Sequence, residues 1–284
     1  MTIPHTVGDA PPQHAVPPDA CDCHMHFYDD AFPALRPASR LVSNAGVTQY
    51  RKLQNRLGTS RVVVVQPAPY VNDNTVTLAA IAEIGNARGV AVIHPDVTDA
   101  ELQRLNAGGI RGIRFSIFDP RTAAVSFDMI APLAARMNAL GWHVQLHLRG
   151  DQIVEHEKLI EQLPCPMVFD HLGRIPQPEG IQHPAFAIIQ RLLKARRAWV
   201  KLSGAYADTK VGAPSYSDAV AMMRAYVATA PERCVFGSDW PHPTEAADHK
   251  PDDARLIDLI AEAAPDEAVR RKILVDNPAK LYGF

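Results

Sequence analysis

Short apolar runs alternate with longer amphipathic stretches along most of this chain. The runs at 20–26, 61–66, 90–94, 112–115, 143–148, 167–169, 199–202 and 234–236 are rich in Val, Ile and Phe. They are too short for helices. Continuous apolar sequence is what a strand buried on both faces requires, so they read as eight parallel strands. Between and after them, apolar residues recur at helical spacing over 76–87, 98–106, 128–140, 152–163, 184–195, 217–230, 253–263 and 266–275. Asp73 or Asn74 could cap the first of these. Thr98 and Glu101 fit a capping box, and Gly108-Gly109 follows as a stop. Other helical stretches end at Gly141 and before Pro164.

Strand then helix, repeated eight times, predicts a single (β/α)8 TIM-type barrel. The rival, a doubly wound open sheet, would be favoured by a Gly-rich fingerprint after the first strand, and none is present. No linker or charge block divides the chain, so one barrel domain is expected over 19–284, with extra C-terminal helices. The Pro-rich residues 1–18 form an extended arm, either a loose tail or a strap across the barrel bottom. The long stretch 27–47 reads as a loop insertion that lids or walls the site.

Composition narrows the setting. A net charge of -2 provides no electrostatic footprint for nucleic acid or an anionic membrane. No apolar run approaches the roughly 18 residues of a membrane span, and Met1-Thr2-Ile3-Pro4-His5 has neither a basic nor an apolar leader pattern. A cytoplasmic protein is the expectation. Cys21, Cys23, Cys165 and Cys234 are scattered without a second C-x-x-C and read as reduced thiols.

Barrel chemistry gathers at the C-terminal ends of the strands. Those ends hold His24 and His26, Gln66, His94, Arg114, His147, Asp170-His171, Lys201 or Ser203, and Asp239. His24 and His26 lie one residue apart, so on a strand both imidazoles face one side. With His171 and Asp239 they form an imidazole and carboxylate set suited to a borderline-soft divalent ion such as zinc. His147 is either a further histidine ligand or a substrate contact, and His94, before Pro95, reads as structural. His5, His14, His143, His156, His183 and His249 receive no role, and His242 either flanks the site or sits on the loop surface. Arg114, Arg121, Arg149 and Arg174 all follow strand ends. Their planar forks suit carboxylate or sulfonate oxygens and imply an anionic substrate.

Four segments carry a resemblance: Asp22-Cys23-His24-Met25-His26, Gly112-Ile113-Arg114-Phe115, Phe169-Asp170-His171-Leu172-Gly173-Arg174 and Gly237-Ser238-Asp239-Trp240-Pro241-His242. Together they resemble the amidohydrolase superfamily, and within it a lactonase branch, from about Pro18 to the end of the chain. The resemblance implies carbonyl-directed hydrolysis. His24, His26, His171 and Asp239 would hold a divalent metal, zinc first, although some members of the branch work without one. Asp239 would be the general base with His171 beside it, and Arg114, Arg121, His147 and Arg174 would bind the substrate. Two departures matter. No arginine follows the seventh strand in Lys201-Leu202-Ser203-Gly204-Ala205-Tyr206-Ala207, and His147 stands where pyrone-dicarboxylate-opening members have tyrosine. The expected partner is a small carboxylated or sulfonated lactone from aromatic breakdown. Rival readings are a sugar-acid lactone hydrolase or isomerase, a zinc-dependent non-oxidative decarboxylase and a catalytically silent binding protein. The sequence leaves oligomeric state open.

Overall fold

Eight parallel strands follow one another around the sheet in chain order, each bonded to the next. They are β1 (Cys21–Met25), β2 (Arg61–Val65), β3 (Ala87–Ala91), β4 (Ile110–Ser116), β5 (His143–His147), β6 (Met167–Phe169), β7 (Ala198–Leu202) and β8 (Cys234–Phe236). This is a computed structural model, and it describes residues 3–36 and 41–284. The turn between β8 and β1 nearly closes the ring. Met25 bridges Trp240, His26 N–H donates to the Trp240 carbonyl at 2.8 Å, and Asp239 N–H donates to the His24 carbonyl at 2.7 Å. The fold is therefore the expected (β/α)8 barrel.

The helices are α1 (Val47–Leu57), α2 (Thr75–Ile84), α3 (Asp99–Ala107), α4 (Ile130–Leu140), α5 (Gly150–Glu155), α6 (Glu157–Gln162), α7 (Pro184–Lys194), α8 (Ser217–Thr229), α9 (Asp253–Ala263), α10 (Glu267–Arg271) and α11 (Asn277–Tyr282). The apolar stripe of α7 shows why they pack. Ala185, Phe186, Ile188, Ile189, Leu192 and Leu193 are all buried, three or four residues apart or adjacent. Pro184 occupies the first turn, where its missing N–H costs nothing, and the His183 side chain accepts from Ala185 N–H. Truncating a side chain as buried as Leu193 would cost about 2–5 kcal/mol.

Several boundaries differ from the sequence reading for local reasons. β3 begins at Ala87 and stops at Ala91, not 90–94. The Asn74 side chain takes the Val92 N–H at 2.9 Å and donates to the Val92 carbonyl at 2.8 Å, so the backbone there has no groups left for a ladder. The helix expected over 152–163 breaks at His156, which leaves the helical region and stacks on Phe127 at 3.6 Å between centroids. Thr98 caps α3 by accepting from Glu101 N–H, but the Glu101 carboxylate turns to Arg104, so only half the capping box forms. The last expected helix, 266–275, is α10 followed by a wider turn over Lys272–Asp276 and then α11. Asn277 anchors α11 by donating to the Pro231 and Cys234 carbonyls.

The arm touches both ends of its region. The Pro4 carbonyl accepts from the Trp240 indole at 2.9 Å, beside the strand-eight turn. Arg56 of α1 donates to the Val7 and Ala10 carbonyls, and Asp258 of α9 accepts from Gln13 and His14 N–H. The arm thus runs along α1 and α9 and reaches the turn that carries Asp239. Within the loop over 27–47, Leu35 and Arg36 N–H donate to the Pro69 carbonyl, and the Arg36 guanidinium reaches the carbonyls of Thr122 and Ala123. It walls the catalytic face between the second and fourth strand loops. Residues 37–40 of this loop lie outside the described residues.

Candidate active site

β1 and the turn after β8 are clasped together by one carboxylate. Asp22 accepts from Ser238 N–H at 2.9 Å, Ser238 Oγ at 2.6 Å and Tyr50 Oη at 2.9 Å. Burial pushes its carboxyl up to about 6. Gly237 permits this closeness, because a Cβ there would lie 2.6 Å from His24 Cβ. The clasp brings Asp239 over the His24 and His26 rings. Asp239 and His171 both hold left-handed backbone, φ 66 and 48, which costs energy in a residue with a Cβ and persists where surrounding contacts enforce it. Gly204 supports His171 from below. Its φ is 62, and a Cβ would meet the imidazole at 2.9 Å.

Four side chains converge. His24 Nε2 and His26 Nε2 are 3.3 Å apart. Asp239 Oδ1 lies 3.5 Å from His24 Nε2, 3.4 Å from His26 Nε2 and 3.8 Å from His171 Nε2. Ligands of one zinc ion lie about 3.4 Å apart; the ligand atoms of His24, His171 and Asp239 all lie within 4.8 Å of one another and form a set suited to a divalent ion, with His26 outside that set. The outer ring nitrogens agree with that fit. His26 Nδ1 must donate to the Val65 carbonyl at 2.8 Å, which leaves Nε2 with its lone pair toward the cluster. His171 Nδ1 is bonded to Ser203 Oγ at 2.9 Å. Burial keeps His171 neutral down to about 4 and holds His24 well below the usual imidazole value, with the Lys201 charge adding to the latter. Burial works to raise the Asp239 carboxyl, but the facing His171, His26 and His24 imidazoles hold it well below the ordinary range. The cluster thus sets imidazole nitrogens around one carboxylate, the groups that a metal site and a general base both require.

A buried charged layer lies beneath. Asp170 Oδ1 is 3.3 Å from His24 Nδ1 and 3.6 Å from Lys201 Nζ. Its other oxygen accepts from Arg114 Nε at 3.0 Å and Gln145 Nε2 at 3.1 Å. Lys201 is fully buried and donates to Gln145 Oε1 at 2.7 Å. Burial would raise the Asp170 carboxyl, yet His24, Lys201 and Arg114 hold it well below its usual value. Arg114 is thus fixed through Nε, while no protein acceptor engages its outer nitrogens among the described residues.

The other arginines are already committed. Arg174 makes two bonds to Asp208, at 2.7 and 3.1 Å, and its third nitrogen lies 3.1 Å from His147 Nε2. It also covers the Phe118 ring at 4.1 Å. His147 is bonded to Ser116 Oγ through Nδ1 at 2.8 Å, so both its nitrogens have partners, and its ring meets that of His171 edge to face at 5.3 Å. Arg149 pairs with Asp151 and the Phe118 carbonyl. The Arg121 side chain is 88% exposed and paired with Asp119, so the structure does not bring it to the cluster. His94 bonds the Ala124 carbonyl, a structural role, and Gln66 ties the second strand loop through Thr77 and the Asp73 carbonyl.

Sequence reasoning missed four participants. Asp170 and Lys201 were seen only as strand-end residues, and their mutual pairing depends on strands six and seven being neighbours. Tyr206 gave no signal, since it sits in a loop without periodicity, yet its hydroxyl donates to Asp239 Oδ2 at 2.6 Å. Tyr28 is buried near Asp239 and Arg114, and burial pushes its phenol up from the ordinary value.

The amidohydrolase family model matches residues 21–284. The chain belongs to that family. It is 35% identical over 282 residues to a 4-sulfomuconolactone hydrolase of Rhizobium radiobacter, covering 96% of this chain and 93% of that protein. It is 33% identical over 282 residues to a 2-pyrone-4,6-dicarboxylate hydrolase of Comamonas testosteroni, covering 95% and 92%. An apo crystal structure of an Agrobacterium tumefaciens protein superposes with a TM-score of 0.88 at 32% identity, covering 99% and 98% of the two chains. These relatives define an enzyme acting on lactones. Among the described residues no helix is long and apolar enough to cross a membrane.

Proposed function

We propose that this protein opens a small anionic lactone by hydrolysis, with 4-sulfomuconolactone as the first candidate. The observation that carries the reading is the meeting of Asp239 Oδ1 with three imidazole Nε2 atoms at 3.4–3.8 Å, beside the open outer nitrogens of Arg114. Asp239 takes a proton from water, whose oxygen bonds to the lactone carbonyl carbon. The ring C–O bond then breaks, and the ring oxygen leaves as an alcohol after protonation. His24, His171 and Asp239 would hold a divalent ion, zinc first, with His26 beside them. When bound, such an ion lowers the pKa of water and polarises a carbonyl. Fixed charge and donors aimed at the developing oxyanion are the main catalytic contribution. Arg114, held rigid by Asp170, receives the substrate carboxylate or sulfonate, with His147 and Arg174 on the adjoining wall and Arg121 at the rim.

The sulfonated lactone is favoured for two reasons. The relative that opens it is 35% identical, and His147 replaces the tyrosine associated with the pyrone substrate. The chemistry is also self-sufficient. Ring opening leaves a hydroxyl on the carbon that bears the sulfonate. That carbon loses its C–S bond, the electron pair leaves with sulfur as sulfite, the hydroxyl proton is released and a ketone remains. The enzyme therefore needs only the lactonase step to yield maleylacetate and sulfite. The test is a panel of 4-sulfomuconolactone, 2-pyrone-4,6-dicarboxylate and sugar-acid lactones, with sulfite and ring-opened acid quantified and metal content measured on the same preparation. Turnover of the sulfonated lactone with equimolar sulfite is expected. Carbon dioxide release without ring opening, or no turnover of any anionic lactone, would refute the reading.

A further inference from the structure

A continuous hydrogen-bonded chain runs away from the cluster behind Asp239. The Tyr206 hydroxyl donates to Asp239 Oδ2 at 2.6 Å. His242 Nδ1 lies 3.1 Å from that hydroxyl, and His242 Nε2 lies 3.1 Å from Asp253 Oδ2. Asp253 N–H donates to Thr6 Oγ1 of the N-terminal arm at 3.1 Å. His242 and Asp253 are fully buried, and the Tyr206 and His242 rings meet edge to face at 5.1 Å. The chain draws on the loop after β7, the loop after β8, the start of α9 and the arm. A carboxylate can turn about its last torsion with little resistance, because that torsion is broad and twofold. On the cluster side Asp239 Oδ1 sits 3.4–3.8 Å from the imidazoles, well beyond the 2.6 Å bond from Tyr206.

We propose that Tyr206 is a positioning residue for Asp239, held in place by His242 and Asp253. A phenol has one proton. A carboxylate only accepts, so that proton lies toward Asp239 Oδ2, and the hydroxyl oxygen meets His242 Nδ1 at 3.1 Å. That single donor pins one carboxylate oxygen and directs the other at His24, His26 and His171. The role rests on the proposed function for its kinetic consequence but not for its structural one. Outer partners of metal and catalytic groups commonly change affinity or activity by about 10–100-fold when removed.

The experiment compares wild type with Tyr206→Phe, which keeps the ring and deletes only the donor. Three readouts are taken: a crystal structure, zinc affinity by chelator competition, and kcat and KM on the anionic lactone that wild type opens fastest. A turned Asp239 carboxylate is expected, with Oδ1 withdrawn from the imidazoles, zinc bound about tenfold more weakly and kcat lowered at least tenfold with KM within about twofold. An Asp239 carboxylate unmoved in the crystal, with zinc affinity and kcat as in wild type, would overturn the proposal. If wild type opens no lactone, the functional reading fails, and the crystal structure and zinc affinity still decide the positioning role. Should Tyr206→Phe not fold, His242→Gln is read by the same three criteria, with the same direction and a smaller effect expected.

Discussion

The two sides of the pocket are built on opposite plans. On the side of β1, β6 and β8, three imidazoles and one carboxylate meet at a common centre, and outer atoms of His26, His171 and Asp239 are tied to the Val65 carbonyl, Ser203 and Tyr206. On the side of β4 and β5, most of the cations are matched by an acid of their own: Arg174 by Asp208, Arg149 by Asp151 and Arg121 by Asp119. Of these arginines it is Arg114 that joins the two sides, because Asp170 holds its Nε while also facing His24. The histidine side gathers its ligand atoms around one centre 3.3–3.8 Å apart and is where chemistry belongs. The arginine side is largely self-satisfied, so it shapes and screens the pocket more than it attracts an anion. A count of arginines overstates the positive charge available to a substrate.

The largest effect should come from breaking the histidine side at its centre. Asp239→Asn keeps the shape and removes the base, and kcat/KM on the best anionic lactone should fall about 10³-fold, within the range for a positioned general base. Steady-state kinetics on the folded variant checks this. Acid should act on the same side. His171 carries its proton only below about 4 in the folded protein, so it is a free base at pH 5 to 7 and loses its lone pair as pH falls through 4. A pH–rate profile on wild type should keep its acid limb near 4 rather than near the ordinary histidine value of about 6.5.

Effects on the arginine side should be smaller and should grade with how free each guanidinium is. Arg114→Lys keeps a cation beside Asp170 but loses the fork, and KM should rise about tenfold, equivalent to about 1.4 kcal/mol, with a lesser change in kcat. Arg121→Ala should leave both constants within about twofold, because an exposed pair contributes little. If Arg121→Ala matched Arg114→Lys in KM, the outer loop would have to close over substrate and the contrast drawn above would fail.

Much of this was legible in the chain. Apolar runs placed all eight strands because a barrel buries both faces of its sheet, and strand ends then pointed to His24, His26, His171 and Asp239. What remained hidden involved partners remote in sequence. β3 ended early because a side chain from residue 74 took the backbone of residue 92. The break at His156 depended on stacking against Phe127. Arg114 and Arg174 were equivalent as letters, and only the contacts showed one open and the other bound twice to Asp208. Tyr206 carried no pattern at all, since its role exists only where the loops after β7 and β8 meet.

The central claim is that water, activated at Asp239, attacks the lactone carbonyl. A single-turnover reaction in ¹⁸O-labelled water, with the product analysed by tandem mass spectrometry, tests it directly. One ¹⁸O atom in the newly formed carboxylate is the expected result. Ring-opened or rearranged product with no label in that carboxylate, or label only on the alcohol carbon, would contradict it.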